Sequence, residues 1–288
     1  MKTDTKDTYA IINLEEYFPT GEGGTSITYN KKDGTSLAKL FIPGFQADTA
    51  AREFHISETV HSLGIPSPLP IRLITDGKRF GAEYELIAPK RSFTRIISEE
   101  RDKLEELSIR FAHMAKDLHS TPAPTSALPS MKDLMAGWIE EHRDLLTDEE
   151  YGGLLGFLGK VPEVDTCLHG DLHIGNVIRT TGRDLWIDLG DFAYGDPRWD
   201  LGMMYYACNS LSDERLDSIF HNDRATMRSH WEIFAREYYG VSSQGDLQEI
   251  EHGLLPFIGT KLFYVVTKLT HTKSPFTSGI IKKFVVDY

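Results

Sequence analysis

The chain has 288 residues, long enough to bury a sizeable core in one large domain or a two-lobed one. Its 43 acidic residues outnumber 31 basic ones for a formal net charge of −12, which argues against nucleic acid as a partner, because phosphate binding calls for a basic face. Cys167 and Cys208 stand apart and indicate no disulfide framework, no apolar run approaches the roughly 18 residues of a membrane span, and MKTDTKDTYA has no apolar signal core; the expectation is a soluble, cytoplasmic protein.

Residues 1–17 are polar, with a short strand expected over Tyr9–Leu14. Pro19-Thr-Gly-Glu-Gly-Gly-Thr-Ser26 follows, ahead of the alternating Ile27–Tyr29. Its glycines read either as a hairpin turn or as a loop whose backbone N–H groups can approach phosphates, centred on Gly23, Gly24, Thr25 and Ser26. Asn30-Lys-Lys-Asp-Gly34 is a turn, and Thr35–Phe41 a strand with Lys39 among Leu37, Ala38, Leu40 and Phe41. A lysine there must snorkel from an edge or find a carboxylate.

Ala47–Leu63 carries a helical apolar pattern, with Asp48 as its N-cap and Gly64-Ile-Pro as its stop. Glu53 and Glu58 are the two helix carboxylates that could meet Lys39, and either could equally be a solvated charge. Ile71–Thr75 and Arg79–Ile87 form a hairpin around Asp76-Gly77, ending in Glu85-Leu-Ile-Ala-Pro-Lys. Residues 1–87 thus read as a strand-rich lobe with one helix and residues 88–288 as a mostly helical one, an α+β plan divided at a proline-containing linker.

One helix is expected from Ser98 to His119, with Leu104, Leu107, Phe111, Met114 and Leu118 as its core stripe. After a loop at Thr121-Pro-Ala-Pro-Thr-Ser, Met131–Leu146 reads as a helix. Cys167–Leu201 then packs His169, Asp171, His173, Asn176, Asp188, Asp191, Asp196 and Asp200 into one span. So many carboxylates are costly in a core unless something neutralises them, and a divalent cation would. Asn176-Val-Ile-Arg and Leu185-Trp-Ile-Asp188 flank a turn centred on Gly182. Folded there, the hairpin sets Asn176 opposite Asp188 at the roughly 5 Å Cβ separation of paired strand residues. That pair is the expected metal site, with Asp171 facing it from the preceding loop. Asp200 reads as the N-cap of a helix to Ser210, so it and Asp196 are expected to be structural. Helices follow over Asp213–His221, Ala225–Tyr239 and Leu247–Leu269, the last kinked or broken at Pro256. Lys261 to Lys283 read as a lysine-lined solvent face.

His169-Gly-Asp171-Leu-His-Ile-Gly-Asn176 resembles the catalytic loop of the aminoglycoside phosphotransferase and choline-kinase group, whose pattern is His-Gly-Asp, four residues, then Asn. Ile187-Asp188-Leu-Gly190-Asp191, Gly195-Asp196-Pro and Asp200-Leu-Gly resemble the same group's metal-binding segment. The resemblance implies a two-lobed, protein-kinase-like α+β fold, with residues 1–87 binding nucleotide and 88–288 carrying catalysis and the acceptor. It implies an ATP- or GTP-dependent kinase moving the γ-phosphate in line to a hydroxyl of a small molecule, such as an aminoglycoside, amino alcohol or sugar.

In that group's terms Asp171 is the catalytic residue that accepts or orients the hydroxyl proton, Asn176 and Asp188 are ligands of Mg2+, and Lys39 contacts the α/β phosphates. Arg52-Glu53 and Ile65-Pro-Ser-Pro resemble the family's pattern and favour Glu53 over Glu58 as the partner of Lys39. Gly23, Gly24, Thr25 and Ser26 become a phosphate loop, shorter than G-x-G-x-x-G, while Glu85 and Ile87 become linker positions whose backbone holds the adenine edge. His169 would brace the loop, and His173 is left as a surface or supporting histidine. Glu140, Glu141 and Asp144 become weak candidates for meeting a cationic acceptor.

Two other readings compete. A kinase-fold regulator would bind nucleotide without turnover, against which the intact Asp171 and Asp188 weigh. A metal-dependent hydrolase is suggested by the His-x-x-x-His spacing of His169 and His173, but Gly170 opposes a helix there and no catalytic Glu or third ligand is evident. His-Gly-Asp in place of His-Arg-Asp, with no activation segment between Asp188 and Asp196, points to a small-molecule acceptor rather than a protein.

Overall fold

A computed structural model describes residues 8–22 and 25–288. Two compact units divide the chain: residues up to Arg91 with Val177–Asp191, and Ser92–Asn176 with Phe192–Tyr288. The first contains β1 (Ala10–Ile11), β2 (Tyr17–Glu22), β3 (Ser26–Lys31), β4 (Ser36–Phe41), α1 (Ala47–Ser62), β5 (Pro70–Thr75) and β6 (Phe80–Glu85). These strands form one sheet in the order β1-β5-β6-β4-β3-β2, antiparallel except for the β1–β5 pair.

β4 lies inside that sheet, so its alternation is enforced on both sides. Ser36, Ala38 and Leu40 are buried on one face, and Leu37 and Lys39 take the other. Ala82, the cross-strand partner of Lys39, packs with Ala51 and Phe54 of α1 and Leu73 of β5, which places Lys39 on the side of the sheet that α1 covers. Ile12, Tyr17, Ala38, Leu40 and Ile74 fill the opposite side. α1 starts at Gln46, which makes no side-chain cap bond; Asp48 is inside the first turn, where a carboxylate meets the helix dipole rather than an N–H.

The chain continues through β7 (Arg91–Ser92), α2 (Phe93–Glu99), α3 (Leu104–His119), α4 (Met131–Glu141), α5 (Asp148–Lys160) and β8 (Cys167–Leu168). The hairpin β9 (Val177–Arg179) and β10 (Asp184–Trp186) belongs to the first unit, where Ile178 and Leu185 pack on Ile87. Then come β11 (Ala193–Tyr194), α6 (Arg198–Ser210), α7 (Asp213–Phe220), α8 (Arg224–Tyr239), α9 (Gln244–Thr270) and α10 (Pro275–Ile281). The core of the second unit gathers Met131, Met135, Leu154, Leu158, Trp199 and Phe257. None of the described helices is long and apolar enough to cross a membrane.

Elsewhere the structure departs from the expected elements, and it adds one, α5. The helix expected from Ser98 is two, α2 and α3, joined by a tight turn over Arg101–Lys103; Ser92 starts the first by accepting from the N–H of Arg95 at 3.3 Å. α5 has no strong signal because Gly152, Gly153, Gly156 and Gly159 weaken its helix propensity. A capping box between Thr147 and Glu150 and the burial of Leu154 and Leu158 hold it instead. Asp200 lies within α6 rather than capping it. α9 runs its 27 residues through Pro256 without a break, because a proline removes one backbone bond while Leu254, Phe257, Ile258 and Phe263 stay packed around it.

Candidate active site

In the first unit a lysine bridges two carboxylates. Lys39 Nζ lies 2.7 Å from Glu53 Oε1 and 2.8 Å from Asp188 Oδ1. The lysine is 17% exposed, and burial alone would lower its pKa; the charges of Glu53 and Asp188 overcome that and raise it, so Lys39 stays a cation. Glu58 instead pairs with His55 at 2.9 Å on the exposed side of α1. Asp188 has a φ of 60°, a left-handed conformation uncommon outside glycine, and its side chain is 58% exposed. Gly190 follows closely: a Cβ there would meet Glu53 Oε2 at 2.8 Å. Tyr84, whose hydroxyl lies 3.3 Å from Ser57 Oγ, is pushed up to about 12 by burial and by the Glu53 charge.

The remaining residues expected to touch nucleotide are spread along the same unit. Gly23 and Gly24 lie outside the described residues. Thr25 is exposed and its carbonyl accepts from Ile42 N–H at 2.9 Å, whereas Ser26 is buried at the start of β3, opposite Phe41. The Glu85 carboxylate accepts from Leu69 N–H at 3.2 Å and sits 3.5 Å from Arg183, and the Glu85 N–H donates to the Leu69 carbonyl at 2.9 Å. Ile87 is 8% exposed, in the cluster with Ile178 and Leu185.

The hairpin register departs from the expected one by a single residue. Val177 pairs with Trp186, Ile178 with Leu185 and Arg179 with Asp184, so the ladder closes without Asn176 or Asp188 in it. Thr180 N–H donates to the Arg183 carbonyl at 2.9 Å, leaving Thr181 and Gly182 as a two-residue loop. Such a loop has its centre between residues, not on one, which shifts the pairing. The cross-strand Arg179–Asp184 ion pair at 2.9 Å and the buried Ile178–Leu185 pair stabilise that choice.

In the second unit the loop after β8 is built on a buried carboxylate. Asp200, fully buried, accepts from His169 N–H at 2.7 Å and from Gly170 N–H at 2.9 Å. His119 Nε2 lies 3.2 Å from Oδ2, the oxygen that also accepts from His169, and Lys261 Nζ 4.0 Å from Oδ1. Burial alone would raise the Asp200 pKa, but the His119 hydrogen bond and the Lys261 charge hold it below the ordinary carboxylate value. Gly170 has a φ of 82°, and Asp171 N–H donates to His169 Nδ1 at 3.3 Å. His169, fully buried, packs its ring on Phe192.

Asp171 leaves this buried frame with its side chain 55% exposed. Asn176, at the end of a single tight turn, donates from Nδ2 to the Asp171 carbonyl at 2.9 Å and approaches Asp171 Oδ2 at 3.4 Å. His173 Nδ1 accepts from Gly175 N–H at 3.1 Å, which fixes the tautomer with the proton on Nε2, 3.5 Å from Asp171 Oδ2. Desolvation would raise the Asp171 pKa, but the His173 hydrogen bond and the charge of Lys261 hold it far below the usual carboxylate range. Asp171 is therefore ionised near neutrality.

Sequence reasoning set aside His173, Asp200 and Lys261 as supporting, capping and surface residues. For Lys261, 91 residues from the carbonyl it contacts, no local signal exists. For Asp200 the signal was there, since a carboxylate beside buried apolar residues must find donors. Among the described residues no three His, Cys, Asp or Glu side chains gather as a metal-binding group.

Residues 23–233 match the sequence model of the phosphotransferase enzyme family (APH). No curated protein sequence matches the chain. Among solved structures, a thermostable mutant of the aminoglycoside phosphotransferase APH(4)-Ia aligns over 94% of this chain and 94% of its own, with a TM-score of 0.62 at 13% identity. A choline/ethanolamine kinase family protein from Mesorhizobium loti aligns over 93% of this chain and 84% of its own, with a TM-score of 0.54 at 15% identity. APH(3'')-Id from Streptomyces rimosus covers 84% of this chain and 92% of its own, with a TM-score of 0.53 at 20% identity. These likenesses and the element order give the expected fold class, an α+β protein-kinase-like fold with a strand-rich N-terminal sheet and a helical C-terminal region.

Proposed function

We propose, because the chain belongs to the phosphotransferase enzyme family, that it moves the γ-phosphate of ATP or GTP to a hydroxyl of a small molecule by direct in-line transfer. The observation that carries this reading is Asp171, an exposed, ionised carboxylate on a loop whose backbone is otherwise buried and bonded. Phosphoryl transfer through a loose transition state asks for aim and charge neutralisation more than for a strong base. A carboxylate held well below its usual range suits that task. It accepts the hydroxyl's hydrogen bond, turns the oxygen towards phosphorus and takes the proton late. Since Asn176 and His173 both approach Oδ2, Oδ1 is the oxygen assigned to the acceptor.

Asn176 and Asp188 are the residues assigned to a divalent cation, Mg2+ by preference. Asp188 offers an exposed charged oxygen, and Asn176 turns its Nδ2 to Asp171, which leaves Oδ1 as its donor atom. Both are hard oxygen ligands of the kind Mg2+ takes alongside water and phosphate. When bound, that ion would neutralise charge on the β- and γ-phosphates. Lys39, steadied by Glu53, is assigned to the α/β phosphates, with Gly23, Gly24, Thr25 and Ser26 as the phosphate loop and the backbone of Glu85 and Ile87 as the adenine edge. Sheet-bound Glu85 keeps its side chain for Leu69 and Arg183 and contributes main chain alone.

The deciding experiment is a turnover screen with Mg-ATP and Mg-GTP against aminoglycosides, amino alcohols and sugars, read by mass spectrometry of the acceptor. One acceptor should gain a phosphoryl group with wild-type protein and none with Asp171→Ala, while calorimetry finds Mg-ATP still bound by that variant. Wild-type turnover by Asp171→Ala would end the assignment.

A further inference from the structure

A lysine that the sequence does not distinguish from its surface neighbours is buried beneath the Asp171 loop. Lys261, on α9, is 4% exposed. Its Nζ donates to the Gly170 carbonyl at 2.5 Å and stands 4.0 Å from Asp200 Oδ1. An ammonium this deep costs several kcal/mol in desolvation unless it is paired and bonded. Here both conditions are met by the same short segment.

The consequence is best seen in the two peptide planes that flank Gly170. The plane before it is held by Gly170 N–H, which donates to Asp200 Oδ1 at 2.9 Å. The plane after it has the Gly170 carbonyl at one end and the Asp171 N–H at the other. Lys261 holds the first and His169 Nδ1, at 3.3 Å, the second. Glycine with a φ of 82° has no Cβ to resist rotation of that plane, so the restraint must come from outside. The orientation of the plane in turn sets the direction in which the Asp171 side chain leaves the backbone.

We infer that Lys261 is a positioning residue for Asp171: its ammonium locks the Gly170–Asp171 peptide and so aims the carboxylate, while supplying the counter-charge for buried Asp200. The inference rests on the reading of Asp171 as the residue that orients the acceptor. Lys261 is 4% exposed, enclosed by protein rather than open to a substrate. Its effect on transfer passes through the loop it bonds and through the charge it lends to Asp171.

The test uses the full chain with two substitutions. Lys261→Met keeps the stem and removes the ammonium, and Lys261→Arg keeps a cation with N–H donors. Amide hydrogen exchange is followed across residues 167–176, beside kcat for the acceptor found in the screen, or for the slow hydrolysis of Mg-ATP by water. Lys261→Met should exchange the Gly170 and Asp171 amides about tenfold faster, with the first unit unchanged. Its kcat should fall roughly 10- to 100-fold, as expected for a catalytic group misplaced by about 1 Å. The Mg-ATP Kd should stay within about twofold, and Lys261→Arg should recover most of kcat. Unchanged loop exchange and kcat in Lys261→Met would overturn the inference. So would faster exchange throughout both units with kcat and Mg-ATP affinity lost together, the signature of a residue that only holds the fold. If wild-type protein transfers nothing from Mg-ATP, the role of Asp171 falls, and loop exchange by itself still decides whether Lys261 clamps the peptide.

Discussion

Lys39 shows how a single residue is specified by what surrounds it. An interior strand cannot let a lysine snorkel past its neighbours, so the ammonium must be matched inside, and two carboxylates 2.7 and 2.8 Å away match it. Lys39→Met should therefore weaken Mg-ATP binding by about tenfold or more, the worth of one charge-assisted bond, as read by calorimetry. His173 acts on Asp171 in a comparable way. Its ring packs edge-on against Phe220 with centroids 5.4 Å apart, while Nε2 faces the carboxylate. His173→Phe keeps the ring contact and removes the proton donor that lowers the Asp171 pKa. A base that must be ionised then titrates higher, so the acid limb of the kcat profile should move to higher pH; an unmoved limb would show that His173 does not influence Asp171.

At the scale of elements, the turn between β10 and β11 is fixed by what it must clear. Gly190 sits where any side chain would strike Glu53, so Gly190→Ala should displace the α1 carboxylate from Lys39 and weaken nucleotide binding without unfolding the sheet. Mg-ATP titration beside thermal unfolding separates the two effects. α5 makes the complementary case, an element stabilised by its ends. Thr147 accepts from Glu150 N–H at 3.2 Å, Glu150 accepts from Thr147 N–H at 2.8 Å, and Lys273 pairs with Glu150 at 2.6 Å. Thr147→Ala should cost about 1 kcal/mol, measured by urea unfolding.

For the whole molecule, acid should be the destabilising direction. His230, fully enclosed between α3 and α8, bonds to Ser108 at 2.8 Å, and burial lowers its pKa to about 3 from 6.5. Between those values the unfolded chain binds a proton that the folded chain refuses. Stability is therefore complete above pH 6.5 and falls as the pH drops towards 3, and His230→Phe should flatten that slope in unfolding titrations. Glu83, Asp76 and Glu150, whose folded pKa values are lowered, add a further loss as the pH falls below about 4. The division into units has its own consequence. Because Ile178 and Leu185 complete the cluster around Ile87, a fragment ending at residue 87 lacks part of its own core and should fail to fold, as read by amide dispersion in an NMR spectrum.

What the sequence determined by itself was local in origin. Alternation in β4, the apolar stripe of α3 and the unbroken spacing from His169 to Asn176 each depend on residues a few positions apart, and those periods read directly as strands, helices and a carboxylate-bearing loop. The hairpin register escaped by one residue because a two-residue and a three-residue turn look alike in a string containing Thr-Thr-Gly-Arg. Tertiary structure alone decided that Asp200 receives the backbone of the loop rather than capping α6 and that Lys261 is buried, while for Lys39 it supplies the contact with Glu53 that the family resemblance favours over Glu58. A charge in water costs nothing to leave unpaired, so no periodicity records its partner; only enclosure makes the pairing compulsory, and which residues are enclosed depends on contacts that can lie 91 residues apart.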